Sequence, residues 1–117
     1  MQINKKIMEE LGIVTDVNKI VISKGLKSHI EKHNHKNVLK YFDKIQEILE
    51  SPDYIGINPR KKQTSLECIK ILDDNVLVAV KLDTKRNYFY TPSMYDITDS
   101  KLKTLLESGR IKKYKIW

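Results

Sequence analysis

The chain has 117 residues, 22 Lys+Arg against 15 Asp+Glu, a formal net charge of +7 and a single cysteine. That length suits one domain, residues 1–117, without room for a second core. The lone Cys68 excludes an intrachain disulfide, no apolar run approaches the ~20 residues of a membrane-spanning helix, and the basic balance favours an anionic partner, nucleic acid first.

Ile3, Ile7, Met8 and Leu11 recur at helical spacing, which predicts a small amphipathic helix over residues 3–11. Lys5-Lys6 is followed by no apolar stretch or small-residue cleavage site, so no secretory leader is expected and the expected setting is reducing and cytoplasmic. Val17–Ile22 is rich in β-branched residues and reads as a strand. A helix is expected from Lys24 to Asn34, with His29 and His33 at the spacing of its apolar residues Leu26 and Ile30. A second helix, Asn37–Glu50, has Val38, Tyr41, Phe42, Ile45, Ile48 and Leu49 on its buried face. Ser51-Pro52-Asp53 ends it, because a proline disfavours helical geometry in the residue before it.

Ile57–Gln63, containing Arg60, Lys61 and Lys62, reads as a basic loop. Three strands follow, Ser65–Leu72, Asn75–Leu82 and Tyr88–Pro92, joined by polar connections short enough for hairpins. Thr98 or Asp99 suits the cap of a helix over Lys101–Ser108, Gly109 suits its stop, and Ile111–Ile116 reads as a last strand. The pattern predicts an α+β fold with helices on one face of an antiparallel sheet of four or more strands.

The polar residues suggest chemistry. His29 and His33 lie four apart and so share a helix face. General acid–base work, metal binding and a structural, half-buried role all suit such a pair. Position 30 is isoleucine, so the zinc-protease pattern with its adjacent glutamate is missing, and no metal or cofactor is expected. Lys70 and Lys81 interrupt apolar strands, where an ammonium must reach water or an anion. Glu67 is placed to pair with one of those lysines or to act as a base beside them. Ser93 offers a hydroxyl to a phosphate oxygen. Tyr88 and Tyr90 alternate to one side, where a ring either stacks on a base or packs in the core. Arg110 follows a helix end and is suited to bidentate phosphate binding. Cys68, flanked by apolar residues, reads as a small buried side chain.

The order of these landmarks resembles the phage barnase–EndoU–colicin–RelE-like nucleases. The matching runs are His29-Ile30-x-x-His33, Ser51–Gly56, Ser65-Leu66-Glu67-x-x-Lys70, Asn75–Lys81, Ser93-Met94-Tyr95, Lys101 and Ser108-Gly109-Arg110, spanning about residues 19–112. The resemblance implies helices before a twisted antiparallel sheet, as in metal-independent ribonuclease toxins. It implies functional positions at His29, His33, Lys81, Ser93 and Arg110. Lys70, Arg60, Lys61, Lys62, Tyr88 and Lys101 are the expected RNA contacts.

The resulting expectation is a small endoribonuclease in which a ribose 2′-hydroxyl attacks the adjacent phosphate. His33 takes the 2′ proton, His29 or Lys81 serves the leaving oxygen, Arg110 and Lys81 hold the growing charge, and Ser93 orients the phosphate. Single-stranded RNA or a tRNA loop is the expected partner, with an immunity or inhibitor protein as a further one. A non-catalytic module that grips nucleic acid or a host protein through the same basic face is the competing expectation.

Overall fold

The computed structural model describes residues 2–32, 36–59 and 64–114. In chain order the elements are α1 (Lys5–Glu10), β1 (Ile20–Ile22), α2 (Leu26–Lys32), a 3₁₀ helix (Lys36–Lys44), α3 (Ile45–Glu50), β2 (Tyr54–Ile57), β3 (Ser65–Ile71), β4 (Asn75–Asp83), β5 (Tyr88–Ile97), α4 (Asp99–Glu107) and β6 (Ile111–Lys113). The six strands form one sheet in the order β1-β5-β4-β3-β2-β6. All neighbours are antiparallel except β1, which runs parallel to β5 at one edge.

Strand alternation divides the side chains between two faces. Leu66, Cys68, Val76, Val78, Val80, Leu82, Phe89 and Met94 point to one face and share a core with Ile7, Leu26, Ile30, Val38, Ile45 and Ile48 from the helical half of the chain. Phe89 is fully buried there, and its removal would cost about 3–5 kcal/mol through lost contacts and the cavity left behind. Cys68 belongs to the same core, and its thiol is pushed up to about 12 by burial, with the charge of Glu67 adding to the effect. Ile69, Leu77 and Ala79 point to the opposite face, where they meet Leu105 of α4 and Ile111. The α+β fold is as expected, but α4 lies across the sheet from the other helices. Leu102 and Leu105 sit three apart and have only the second face left to cover.

Three elements differ from their sequence reading. The helix expected over Asn37–Glu50 is 3₁₀ to Lys44 and α-helical only from Ile45. Val38 and Tyr41, three residues apart, both turn inward at the 3₁₀ period. Tyr54–Ile57 is a strand rather than a lead into a basic loop, held between β3 and β6. β5 does not stop at Pro92 but runs ten residues to Ile97. A register shift between Ala79 and Lys81 lets it do so. Ala79 pairs with Ser93 and Lys81 with Tyr90, which leaves Pro92 in an irregularity where a missing N–H breaks no ladder bond.

Candidate active site

The second face is only part covered. The cluster under α4 takes in Ile69, Leu77, Ala79, Tyr95 and Ile97, and the strand positions beyond it carry polar residues. Thr98 caps α4 by accepting from the Lys101 backbone N–H at 3.0 Å. At the other end, Gly109 adopts φ +79°, a conformation glycine reaches without strain. Its N–H donates to the Leu106 carbonyl and the Arg110 N–H to the Leu105 carbonyl, each at 3.2 Å. This Schellman turn reverses the chain and starts β6 with Arg110 beside the sheet. Gly56 lets β6 approach, since a Cβ there would press on the Arg110 carbonyl oxygen and lie 2.8 Å from Ile111 Cγ2.

Arg110 so placed meets Glu67 of β3. Nε donates to Oε1 at 2.8 Å and Nη2 to Oε2 at 2.7 Å. The Glu67 side chain is 2% exposed and that of Arg110 21%. The hydrogen bonds to Glu67 raise the Arg110 guanidinium above its ordinary value, so its charge is permanent at any working pH. Two of the five guanidinium N–H groups are committed to Glu67. The expected partner of Glu67 was Lys70 or Lys81; the structure gives it Arg110, 43 residues away.

The register completes the group. Gly56, Glu67, Ala79 and Ser93 stand opposite one another across β2, β3, β4 and β5. Ser65, Lys81 and Tyr90 form the adjoining row. Ala79, itself packed in that cluster, is therefore flanked by Glu67 and Arg110 on one side, Ser93 on the other and Lys81 two residues along its own strand. Directly paired side chains have Cβ atoms about 4.5–5.5 Å apart and diagonal ones lie about 7–8 Å apart, so these groups share one small area. Tyr95, two residues beyond Ser93, is held protonated beyond its ordinary range by burial first and by the Glu67 charge second, with Arg110 opposing. The sequence reading quoted Tyr95 without a role; its position at i+2 from Ser93 is the signal that puts it on this face.

Arg110 also lines a cleft of about 710 Å³ with Lys101, Thr104, Ser108 and Lys112. Lys112 Nζ donates to the Glu10 carbonyl at 2.6 Å and closes that cleft on the α1 side. At the opposite edge of the sheet, Tyr88 and Tyr90 line a second cleft of about 570 Å³.

Lys81, Ser93 and Arg110 are thus brought together, with Lys101 and Tyr88 at the two ends of the same face. His29 is not. It occupies the exposed side of α2, whose buried residues Leu26 and Ile30 fix the helix on the other face of the sheet. The seven-residue helix turns only Leu26 and Ile30 inward, so His29 does not share their burial as its spacing suggested. Lys70 is also on the helix side, where its ammonium donates to the Ser51 carbonyl at 2.7 Å. His33, Arg60, Lys61 and Lys62 lie outside the described residues. Among the described residues no group of three His, Cys, Asp or Glu side chains comes together that could hold a metal, and no helix is long and apolar enough to cross a membrane.

Residues 1–104 match the family described as phage-Barnase-EndoU-ColicinE5/D-RelE like nuclease 3. Arg110 lies beyond the matched residues, so its assignment rests on the geometry above. No curated protein and no solved structure matches the chain. With nine-tenths of its length matched, the chain belongs to this phage-Barnase-EndoU-ColicinE5/D-RelE like nuclease family, and its activity is of the nuclease type.

Proposed function

We propose that the protein is an endoribonuclease whose active site is the group of half-buried polar residues beside Ala79, namely Lys81, Ser93 and Arg110. The observation that carries this reading is the Arg110–Glu67 pair set beside Ser93 and Lys81. A phosphodiester seated among Arg110, Lys81 and Ser93 meets a guanidinium held by Glu67, an ammonium and a hydroxyl. Attack by the neighbouring ribose 2′-hydroxyl builds negative charge on the phosphate oxygens, which Arg110 and Lys81 stabilise while Ser93 orients them. The 5′-oxygen leaves and a 2′,3′-cyclic phosphate remains. Glu67 is a positioning residue, because both of its oxygens already accept from Arg110.

This reading departs from histidine catalysis. The described part of the face carries no imidazole; in this reading alignment and charge stabilisation supply the rate, and the 2′ proton passes to water while water returns one to the departing 5′-oxygen. RNA fits this reading because it carries its nucleophile, the 2′-hydroxyl, beside the phosphate.

The test is cleavage of total RNA and tRNA by the purified protein with EDTA present. The expected products carry 2′,3′-cyclic phosphate and 5′-hydroxyl ends, and a 2′-deoxy substitution at the cut site blocks cleavage. His33→Ala is expected to leave the rate within a few-fold. A loss of roughly 10²–10⁴-fold in that variant would restore an imidazole as the base. RNA left intact but bound would favour the non-catalytic module.

A further inference from the structure

Resting on that reading, we propose that the cleft at the β1–β5 edge is a nucleobase subsite, and that it makes the substrate a single-stranded, unpaired segment. Four tyrosines of β2 and β5 point to the open face, and they divide into two pairs. Tyr54 and Tyr95 pack against the cluster under α4. Tyr88 and Tyr90 belong to no core cluster; they are half-buried and line the 570 Å³ cleft with Ile22, Lys24 and Arg86. Phe89 between them is fully buried on the helix face, so the alternation that anchors the strand leaves both tyrosines facing outward.

The cleft has the composition a base and its phosphate require. Two aromatic rings and the aliphatic Val21, which pairs with Tyr90, offer stacking surface, which every base can use through its π-face. Arg86 Nη1 donates to the Tyr88 hydroxyl at 3.1 Å, which fixes the ring and keeps a guanidinium at the rim. Asp83 is also present, but its Oδ1 caps the turn by accepting from the Lys85 and Arg86 backbone N–H groups, each at 3.1 Å. Asp83 Oδ2 also lies 3.9 Å from Arg86 Nε and offsets that charge, so the net positive charge of the rim is that of Lys24.

Register ties this cleft to the chemistry. Tyr90 stands directly opposite Lys81, the cation assigned to the reacting phosphate. A base stacked on Tyr90 therefore belongs to a nucleotide flanking that phosphate. A base held in a duplex presents only its edges to the grooves and cannot enter, whereas an unpaired one can splay out and stack.

The test uses the full chain and a single-stranded 2′-O-methyl RNA oligonucleotide, which 2′-hydroxyl attack cannot cut, carrying 2-aminopurine at successive positions. Wild-type protein is expected to quench one or two positions. Tyr88→Leu and Tyr90→Leu should each weaken binding roughly tenfold, with an unchanged salt slope because no phosphate contact is lost. Tyr88→Phe and Tyr90→Phe should bind nearly as wild type, which separates stacking from the hydroxyls and guards against unfolding of the leucine variants. The same sequence as a duplex should compete at least tenfold less well. Quenching at no position, or leucine variants that bind as wild type, would overturn the subsite. The nuclease reading is judged separately on unmodified RNA: quenching without cleavage sinks that reading alone, and cleavage without quenching sinks the subsite alone.

Discussion

Arg110 and Glu67 form a two-point ion pair, 2.8 and 2.7 Å, between residues 43 apart in sequence, and it fixes the guanidinium on the open face of the sheet. Glu67 is almost fully buried, so the pair is only as good as both partners. Taking away one member of a buried pair strands the other charge and costs roughly 3–5 kcal/mol; partial exposure of Arg110 places Arg110→Ala at about 3 kcal/mol. The double variant Glu67→Leu/Arg110→Met leaves no stranded charge and should recover most of that loss in urea unfolding. It should nevertheless cleave RNA at least 10²-fold more slowly than wild type, the scale of removing one preorganised donor. Recovery of stability together with activity would remove Arg110 from the chemistry.

How far the sequence anticipated this site depends on the range of the interaction. Lys81 stood out because it interrupts an apolar strand, a local pattern, whereas Ser93 stood out only by its hydroxyl and the Ser93-Met94-Tyr95 run, since the strand was expected to stop at Pro92. Gly109 and Thr98 were legible because caps are local too. The Arg110–Glu67 pair and the parallel β1–β5 contact depend on strand order, which no short-range pattern encodes. Tyr54–Ile57 escaped because four residues with an internal glycine, between Pro52 and Pro59, carry little strand signal alone. Their strand character comes from β3 and β6 on either side. His29 was misplaced because two buried positions set the face of a short helix, and a residue three from one and one from the other falls at its margin.

Gly56 tests the approach of β6. Alanine would bring its Cβ against the Arg110 carbonyl, a backbone atom that cannot swing aside. β6 must shift or detach, taking Arg110 with it. Gly56→Ala should therefore cost about 1–3 kcal/mol, the range for overpacking. Amide exchange at Ile111 and Lys113, which pair with Gly56 and Tyr54, should quicken more than exchange in β4. Cleavage should fall with it. Unchanged protection in β6 would show that the sheet absorbs the extra methyl.

Cys68 sets a limit at alkaline pH. Its thiol is pushed from 9.0 to about 12 by burial, so the folded state holds a proton that the unfolded chain releases. The stability tied to that proton is complete below pH 9 and is lost as pH rises toward 12. Three pH units correspond to about 4 kcal/mol at most. Cys68→Ala should be somewhat less stable at neutral pH but show a flatter decline than wild type across pH 9–11, read by urea unfolding. The native thiol should also resist a disulfide reagent at pH 8 and react only as the protein unfolds. Rapid labelling of folded protein would contradict this burial.

Lys81 and Lys70 carry the same charge on neighbouring strands, yet the sheet sends them to opposite faces. Lys81 stands among Ser65, Tyr90 and Ala79 on the open side, whereas the Lys70 ammonium is bound to the Ser51 carbonyl on the helix side. The two methionine substitutions should therefore part. Lys81→Met should weaken binding of an uncleavable single-stranded RNA and lower the slope of log affinity against log salt by about 0.7, the loss of one phosphate contact. Lys70→Met should leave both affinity and slope unchanged, because its charge faces away from the bound strand. It should instead destabilise the fold by roughly 1–3 kcal/mol, since the half-buried carbonyl of Ser51 at the end of α3 loses a charged donor. Equal salt slopes for wild type and Lys81→Met would detach Lys81 from the phosphate path. A reduced slope in Lys70→Met alone would mean that RNA runs along the helical face, and the active site would have to be sought there.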